Sequence, residues 1–165
     1  MSNELTKANI AGLMRNVAIG LLLVGAVTVL PKTAMAQRQG DLHIVKECSV
    51  YTGAAGDYCT IISSNLAAIP PGARVYYDQA AGIPTTQTTP MLDSNVLVNV
   101  RSGDWATGRC TLDLTTNLGV CQFTDGTGPL TGFQARVDVS YAPGGNGFDF
   151  RWDGTYGFTP PGGLK

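Results

Sequence analysis

Eight short segments rich in β-branched and aromatic residues recur along this chain, each bounded by turn-forming residues. They span 43–48, 58–63, 73–78, 96–101, 108–114, 119–124, 132–140 and 148–158. Strong helix formers are scarce, since after residue 36 the only glutamate is Glu47 and the only lysines are Lys46 and Lys165. The sequence therefore predicts an all-β domain of eight strands.

Two of these segments alternate clearly between an apolar and a polar face. In 132–140 the apolar face is Phe133, Ala135, Val137 and Val139, and in 148–158 it is Phe148, Phe150, Trp152, Tyr156 and Phe158. Two-faced strands in this number predict an antiparallel sheet that closes into a barrel or folds into a sandwich. The longest connection, 79–93, is predicted to be a mobile loop over an opening.

The first 36 residues have the three parts of a secretory signal peptide. Lys7 and Arg15 supply positive charge, residues 17–30 are an uninterrupted apolar run, and Ala34 and Ala36 supply small residues at the cleavage site. A membrane anchor is the alternative, but the run is shorter than the roughly 20 residues that cross a bilayer. Cleavage after Ala36 leaves residues 37–165 as one domain, secreted or periplasmic.

The charge of the predicted mature chain argues against nucleic acid and anionic membranes as partners. Without Lys7, Arg15, Lys32 and Glu4, the eleven basic and twelve acidic residues become eight and eleven, a formal net charge of −3. No basic patch accompanies this acidic balance. After signal cleavage no contact with a membrane is expected.

Four cysteines form two pairs with identical spacing: Cys48 with Cys59, and Cys110 with Cys121. In an oxidising compartment an even number of cysteines indicates disulfides. Pairing of sequence neighbours, Cys48 with Cys59 and Cys110 with Cys121, fits two hairpins. Disulfides that link one hairpin to the other are the alternative, which the spacing alone does not exclude. No C-x-x-C redox motif is present, and His43 is the only histidine, so neither a redox site nor a metal site is predicted.

The C-terminal half carries a recognisable pair of motifs. The turn and strand "GTGPLTGFQA" at 126–135 and the closing "WDGTY" at 152–156 resemble the allene oxide cyclase and dirigent-type barrel superfamily, in particular its small secreted bacterial members. The resemblance implies an eight-stranded antiparallel barrel with an elongated internal cavity, often dimeric or trimeric. It also implies steering of cyclisation or radical coupling without a dissociable cofactor, mainly by holding one reactive conformer.

The resemblance suggests where the site residues lie. Plant relatives carry an acidic group on the first strand, and Glu47 is the candidate here, although a solvent-facing charge is the plainer interpretation. If the barrel keeps a cavity, Trp152 and Tyr156 are expected to line it, with Tyr77 and Asn99. The alternative for the aromatic residues is ordinary core packing.

Other polar residues have plainer interpretations. His43 is expected at the surface, because no G-x-S-x-G motif accompanies it. A charged group near the C-terminus is predicted to form a cross-strand ladder outside the barrel rather than a polar cavity lining; it comprises Arg136, Asp138, Asp149, Arg151 and Asp153.

The function expected from these features is binding of a small, largely apolar molecule in the barrel, extended by the resemblance to stereoselective cyclisation or coupling. Such an enzyme would be a cofactor-independent cyclase or isomerase. The alternative is a non-catalytic secreted structural or protein-interaction module. A hydrolase ranks last, because no nucleophile–base pair is evident.

Overall fold

The computed structural model describes residues 39–85, 88–142 and 148–159, and they form a closed antiparallel barrel. The strands are β1 (Gln39–Glu47), β2 (Tyr58–Ser64), β3 (Arg74–Tyr77), β4 (Met91–Arg101), β5 (Asp104–Asp113), β6 (Leu118–Gly126), β7 (Phe133–Tyr141) and β8 (Asp149–Phe158). Each strand pairs with its sequence neighbours, and β8 returns to pair with β1 along nine residues. The predicted all-β barrel of eight strands is confirmed.

Strand β4 differs most from its prediction, because it begins at Met91 rather than at residue 96. Leu92 and Ser94 continue the inward alternation of Val96 and Val98, so Ser94 is buried opposite Cys110 of β5. Pairing with β5 thus extends the strand through polar residues of low β propensity. The predicted loop 79–93 is shortened accordingly.

The middle of the barrel is packed with apolar side chains. Several inward residues have no exposed surface: Leu42, Ile44, Ile61, Val75, Val98, Ala106, Phe133 and Val137. A side chain without exposed surface borders no void that holds a water molecule, so this part of the interior is filled as in small eight-stranded barrels.

The expected inward face of β7 is confirmed, whereas Phe148 precedes β8 and is 55% exposed.

Both cysteine pairs are disulfides between sequence neighbours. Cys110 lies directly opposite Cys121 on β5 and β6, with Cα atoms 4.1 Å apart. Cys48 follows the last residue of β1 and bonds Cys59 of β2, with Cα atoms 4.4 Å apart. Each disulfide therefore cross-links two adjacent antiparallel strands on the inner side of the barrel.

The turn between β6 and β7 uses glycine for two reasons. Gly128 and Gly132 have φ angles of 56° and 73°, in the left-handed region that favours glycine. A Cβ at Gly132 would also collide with the Thr159 carbonyl oxygen. Gly126 has no positive φ, and its lack of a side chain allows the close approach of the Leu130 and Trp105 carbonyl oxygens.

The predicted leader at 1–36 falls outside the described residues. Within the described ranges, no helix combines the length and apolar character needed to cross a bilayer.

Candidate functional site

A lysine lies inside one mouth of the barrel. Lys46 is the third member of the inward face of β1, after Leu42 and Ile44, and is only 4% exposed. Because antiparallel strands alternate in direction, the end of β1 meets the end of β3 and the start of β8. These ends contribute Tyr77, Phe150 and Trp152, which with Lys46 are called the Lys46 cluster here.

Three aromatic rings surround the Lys46 amine. Its Nζ lies 5.0 Å from the ring centres of Tyr77 and Trp152 and 5.5 Å from that of Phe150. Nζ also donates a hydrogen bond to the Tyr77 hydroxyl. Ring faces attract a cation, and this attraction strengthens when water is excluded. The three rings therefore partly offset the hydration that a positively charged Lys46 amine loses on burial.

The cluster nevertheless favours the neutral amine. No carboxylate of the described residues forms an ion pair with Lys46. Burial lowers the pKa of Lys46 from 10.5 to about 7, because the charged form loses its hydration. Burial also raises the pKa of Tyr77, and the nearby Tyr51 adds to this effect, so the phenol stays protonated. At pH 7 about half of the Lys46 amine is therefore neutral, and it lies beside a neutral phenol.

Three side-chain polar atoms of the described residues are buried without a hydrogen-bond partner: the Tyr51 hydroxyl, the Trp152 indole Nε1 and Oδ1 of Asp149, the first residue of β8. Tyr51 packs edge-on against Tyr77, with ring centres 5.2 Å apart. A buried unpaired polar group costs about 1–3 kcal/mol, so each of these atoms calls for a partner. The Tyr51 and Trp152 groups are hydrogen-bond donors, as is Lys46, and they suit an acceptor on a ligand, whereas the Asp149 oxygen is itself an acceptor.

The segment from Cys48 to Cys59 carries Tyr51 over this mouth. Besides the disulfide, an Asp57 carboxylate oxygen accepts hydrogen bonds from the Thr52 and Ala54 backbone amides, at 2.7 and 3.1 Å, and from the Thr52 hydroxyl. These bonds, the Thr52 hydroxyl first, lower the pKa of Asp57. The segment is therefore a well-ordered cover rather than an open rim.

Glu47, the predicted catalytic acid, points away from the interior. It follows Lys46 on β1, and successive strand residues face opposite sides of the sheet. Its Oε1 accepts a hydrogen bond from the Ser49 amide at 2.5 Å. Glu47 thus serves the turn after β1, and the inward functional group at this place is Lys46.

Of the four residues predicted to line a cavity, two meet in the Lys46 cluster: Tyr77 and Trp152. Tyr156 shares the inward face of β8 with Trp152, but four residues further along, about 13 Å away. It packs against Phe158 near the opposite mouth. Asn99 lies on the outer face of β4, because its neighbour Val98 is fully buried in the interior. The prediction that Asn99 lines the interior is wrong.

Sequence reasoning missed Lys46 itself. The alternation Leu42, Ile44, Lys46 was available in the sequence and places the lysine on the apolar face. Charged residues rarely occupy such positions, so lysine at an inward position is the signal that finds the site.

A groove of about 660 Å³ crosses the outer face of β3 to β6 and is called the outer groove. Tyr76, Leu97, Thr107 and Gln122 are among its lining residues. Tyr77 of the Lys46 cluster and Gly56 of the Cys48–Cys59 segment also border the outer groove, so the groove adjoins the Lys46 mouth.

A polar network lies at the edge of the outer groove. Arg109 donates to Asn95 at 3.1 Å and to Asp93 at 2.9 Å, and the Asn95 amide donates to Asp78 at 3.0 Å. These side chains are largely exposed and already hydrogen-bonded to one another. The network can present a mixed polar surface to a partner without prior rearrangement.

The remaining charges behave as surface groups. His43 is exposed and its Nδ1 lies 2.8 Å from Asp153, while Arg151 reaches the same carboxylate at 3.9 Å. Arg136 and Asp138 are also exposed on β7, in agreement with the predicted outer ladder. Asp149 departs from it, since its side chain is buried.

No group of three or more His, Cys, Asp or Glu side chains in the described part of the chain has the geometry of a metal site. Comparisons with protein-family models, curated proteins and solved structures return no match for this chain.

Proposed function

We propose that the protein is a secreted or periplasmic member of the allene oxide cyclase and dirigent-type barrel superfamily, and that it binds a small molecule at the Lys46 mouth. Two disulfides and the leader pattern support export to an oxidising compartment. The barrel of eight strands in sequence order and the glycine turn at 126–132 support the superfamily.

The observation that carries the binding proposal is a buried lysine that has no counter-ion among residues 39–85, 88–142 and 148–159. A buried amine of this kind destabilises the fold relative to an apolar side chain of similar size. A residue with a strongly perturbed pKa beside unpaired polar groups marks a candidate functional site. The Lys46 amine and the Tyr51 and Trp152 donors would bind an acceptor such as a carbonyl or carboxylate oxygen, and the rings would contact its apolar part.

The packed middle of the barrel limits the size of the ligand. Ile44, Val75 and Val98 have no exposed surface, so the elongated cavity implied by the resemblance has no room between these side chains. The ligand is therefore confined to the mouth and is a compact molecule of a few carbon atoms. Its polar end is expected at Lys46 and its apolar part against the aromatic rings of the Lys46 cluster.

Catalysis is the extension of this proposal. Lys46 is a base with a pKa of about 7, and the Tyr77 hydroxyl beside it is a proton donor, a pair suited to moving a proton within a bound carbonyl compound. Such a cofactor-independent isomerase or cyclase would use Lys46 in place of the predicted Glu47.

The test is a binding comparison between the mature protein and its Lys46→Met variant. Unreduced protein purified from the periplasm is examined by native mass spectrometry, and its melting temperature is measured with added butanoate and butanal. We expect a retained small molecule, or a ligand-dependent rise in melting temperature, in the wild type alone. Equal behaviour of the two proteins would rule out the Lys46 mouth as the binding site.

The second candidate function is a non-catalytic interaction module that uses the outer groove. The volume of about 660 Å³ and the exposed Arg109–Asn95–Asp78 network favour it. One accessible partner is a second copy, since the resemblance implies dimers or trimers. Sedimentation of the wild type and the Arg109→Glu variant tests this: loss of an oligomer in the variant supports the groove as its interface, and a monomeric wild type opposes it.

A further inference from the structure

We propose that Lys46 forms a reversible imine with a small aldehyde or ketone in the barrel mouth. This inference rests on the proposed function and names the substrate class of the same site. Its geometric basis is an amine held by three aromatic rings, with a phenol hydroxyl in hydrogen-bond contact and two unpaired donors nearby.

The reaction needs no oxidant, reductant or cofactor. The lone pair of the neutral Lys46 Nζ adds to the carbonyl carbon, and the carbonyl oxygen takes up a proton to give a carbinolamine. The C–O bond then breaks, nitrogen loses its protons to form C=N, and one water leaves. Amine plus carbonyl compound thus gives imine plus water.

Each part of the cluster has a role in this sequence. The neutral amine is the reactive form, and burial supplies it at pH 7 by lowering the pKa of Lys46 to about 7. The Tyr77 hydroxyl contacts Nζ and is placed to give its proton to the departing oxygen. The rings of Tyr77, Phe150 and Trp152 attract a protonated imine as they attract an ammonium. The other titratable groups of the described residues at this mouth are Tyr51 and Tyr77, Glu47 at the end of β1, Asp149 at the start of β8 and Asp57 in the covering segment. Tyr51 and Tyr77 both remain protonated at neutral pH.

Access to Lys46 requires movement of the cover. Lys46 is 4% exposed, and Tyr51 packs on Tyr77 above it. The segment that carries Tyr51 is tied at both ends by the Cys48–Cys59 bond, so a side-chain rotation of Tyr51 is the smallest opening. Small carbonyl compounds are therefore selected over large ones.

The chain offers an internal reference for the experiment. After cleavage at Ala36 only Lys46 and Lys165 remain as lysines. An ordinary lysine is almost wholly charged at pH 7 and reacts slowly with aldehydes. The unreduced mature protein is treated with butanal and cyanoborohydride at pH 7, which reduces the imine to a stable butylamine, and peptide mass spectrometry follows the butyl group at both lysines.

We expect Lys46 to be labelled roughly tenfold faster than Lys165, since its larger neutral fraction outweighs slow access. Tyr51→Ala removes the cover and should accelerate the labelling of Lys46 severalfold. Tyr51→Phe keeps the covering ring and removes only the hydroxyl donor, so it should not accelerate the labelling, which separates loss of the cover from loss of the hydroxyl. Tyr77→Phe removes the proton donor and should slow it. Labelling of Lys165 should be the same in all four proteins.

The outcomes separate the imine from the proposed function. Absence of label on Lys46 in both the wild type and Tyr51→Ala, with Lys165 labelled, overturns the imine. If butanoate still raises the melting temperature of the wild type but not of Lys46→Met, non-covalent binding stands while the imine falls. If neither labelling nor stabilisation depends on Lys46, both proposals fall. Circular dichroism of every variant confirms that label is measured on folded protein.

Discussion

Lys46 and Tyr77 meet across the interior of one barrel mouth, where the lysine nitrogen donates to the phenol hydroxyl and lies 5.0 Å from the centre of its ring. They come from strands that are not neighbours, β1 and β3, so closure of the barrel creates the contact. The pair consists of an amine whose pKa burial lowers to about 7 and a phenol that burial keeps protonated.

The first prediction concerns the pH dependence of stability. The folded-state pKa of Lys46, about 7, lies below the unfolded value of 10.5, so between these values the unfolded chain binds more protons. The free energy of unfolding should therefore rise with pH from 7 to about 9.5, by up to about 1.4 kcal/mol per unit. Above about pH 10 the raised pKa values of Tyr51 and Tyr77 act in the opposite direction. Urea unfolding at several pH values measures the slope.

The second prediction concerns the energetic cost of Lys46. Lys46→Met should raise the free energy of unfolding at pH 7 by about 1–3 kcal/mol and remove the slope, because an apolar side chain replaces an uncompensated buried amine. Lys46→Arg is the control: its charge cannot be discharged, so it should be less stable than the wild type. A Lys46→Met variant less stable than the wild type at pH 7 would show that the lysine stabilises the fold, against the argument for function.

The third prediction compares the two disulfides. Both close loops of the same sequence separation, 11, so replacing either pair by alanine should cost a similar amount, about 3 kcal/mol. Only loss of Cys48–Cys59 frees the segment that carries Tyr51, so only that variant should label faster at Lys46 with butanal. Equal labelling rates in the two double variants would mean that this segment does not control access.

The fourth prediction concerns the turn before β7. Gly132→Ala should cost more than 2 kcal/mol, because it combines a positive φ with a clash against the Thr159 carbonyl. Gly72→Ala is the matched control, with a φ of 91° and nothing within 4 Å of its Cβ, and should cost only about 1 kcal/mol. Thermal unfolding of both variants gives the difference, and equal losses would assign the effect to φ alone.

The strands could be predicted from the sequence because their alternation and turn residues are local signals. Strand β4 shows the limit: Asp93, Ser94 and Asn95 have low strand propensity, and only their pairing with β5 explains their conformation. Asn99 shows another. All three residues from Val96 to Val98 are apolar, so the sequence does not show which face of the strand turns inward. The closed barrel determines that face.

The site was harder to predict than the fold for a physical reason. A lysine in a strand is ordinarily a solvated surface group, and Lys46 becomes unusual only when Tyr77, Phe150 and Trp152 arrive from distant parts of the chain. The acidity of Glu47 and the resemblance point instead to this neighbouring residue, which the strand turns outward. Because successive strand residues face opposite sides of the sheet, a shift of one residue decides whether a side chain points into the barrel, as Lys46 does, or outward, as Glu47 does.

Pairing of β1 with β8 has a consequence for the order of assembly. When the chain emerges with its N-terminus first, β1 appears about a hundred residues before β8, the second strand with which it pairs. Gln39 of β1 and Gly157 of β8 are register partners. An unpaired strand edge invites association with other chains. Cys48–Cys59 binds β1 to β2, the neighbour that arrives first, so the covalent bond can hold the first strand in place through the interval before the last one closes the barrel.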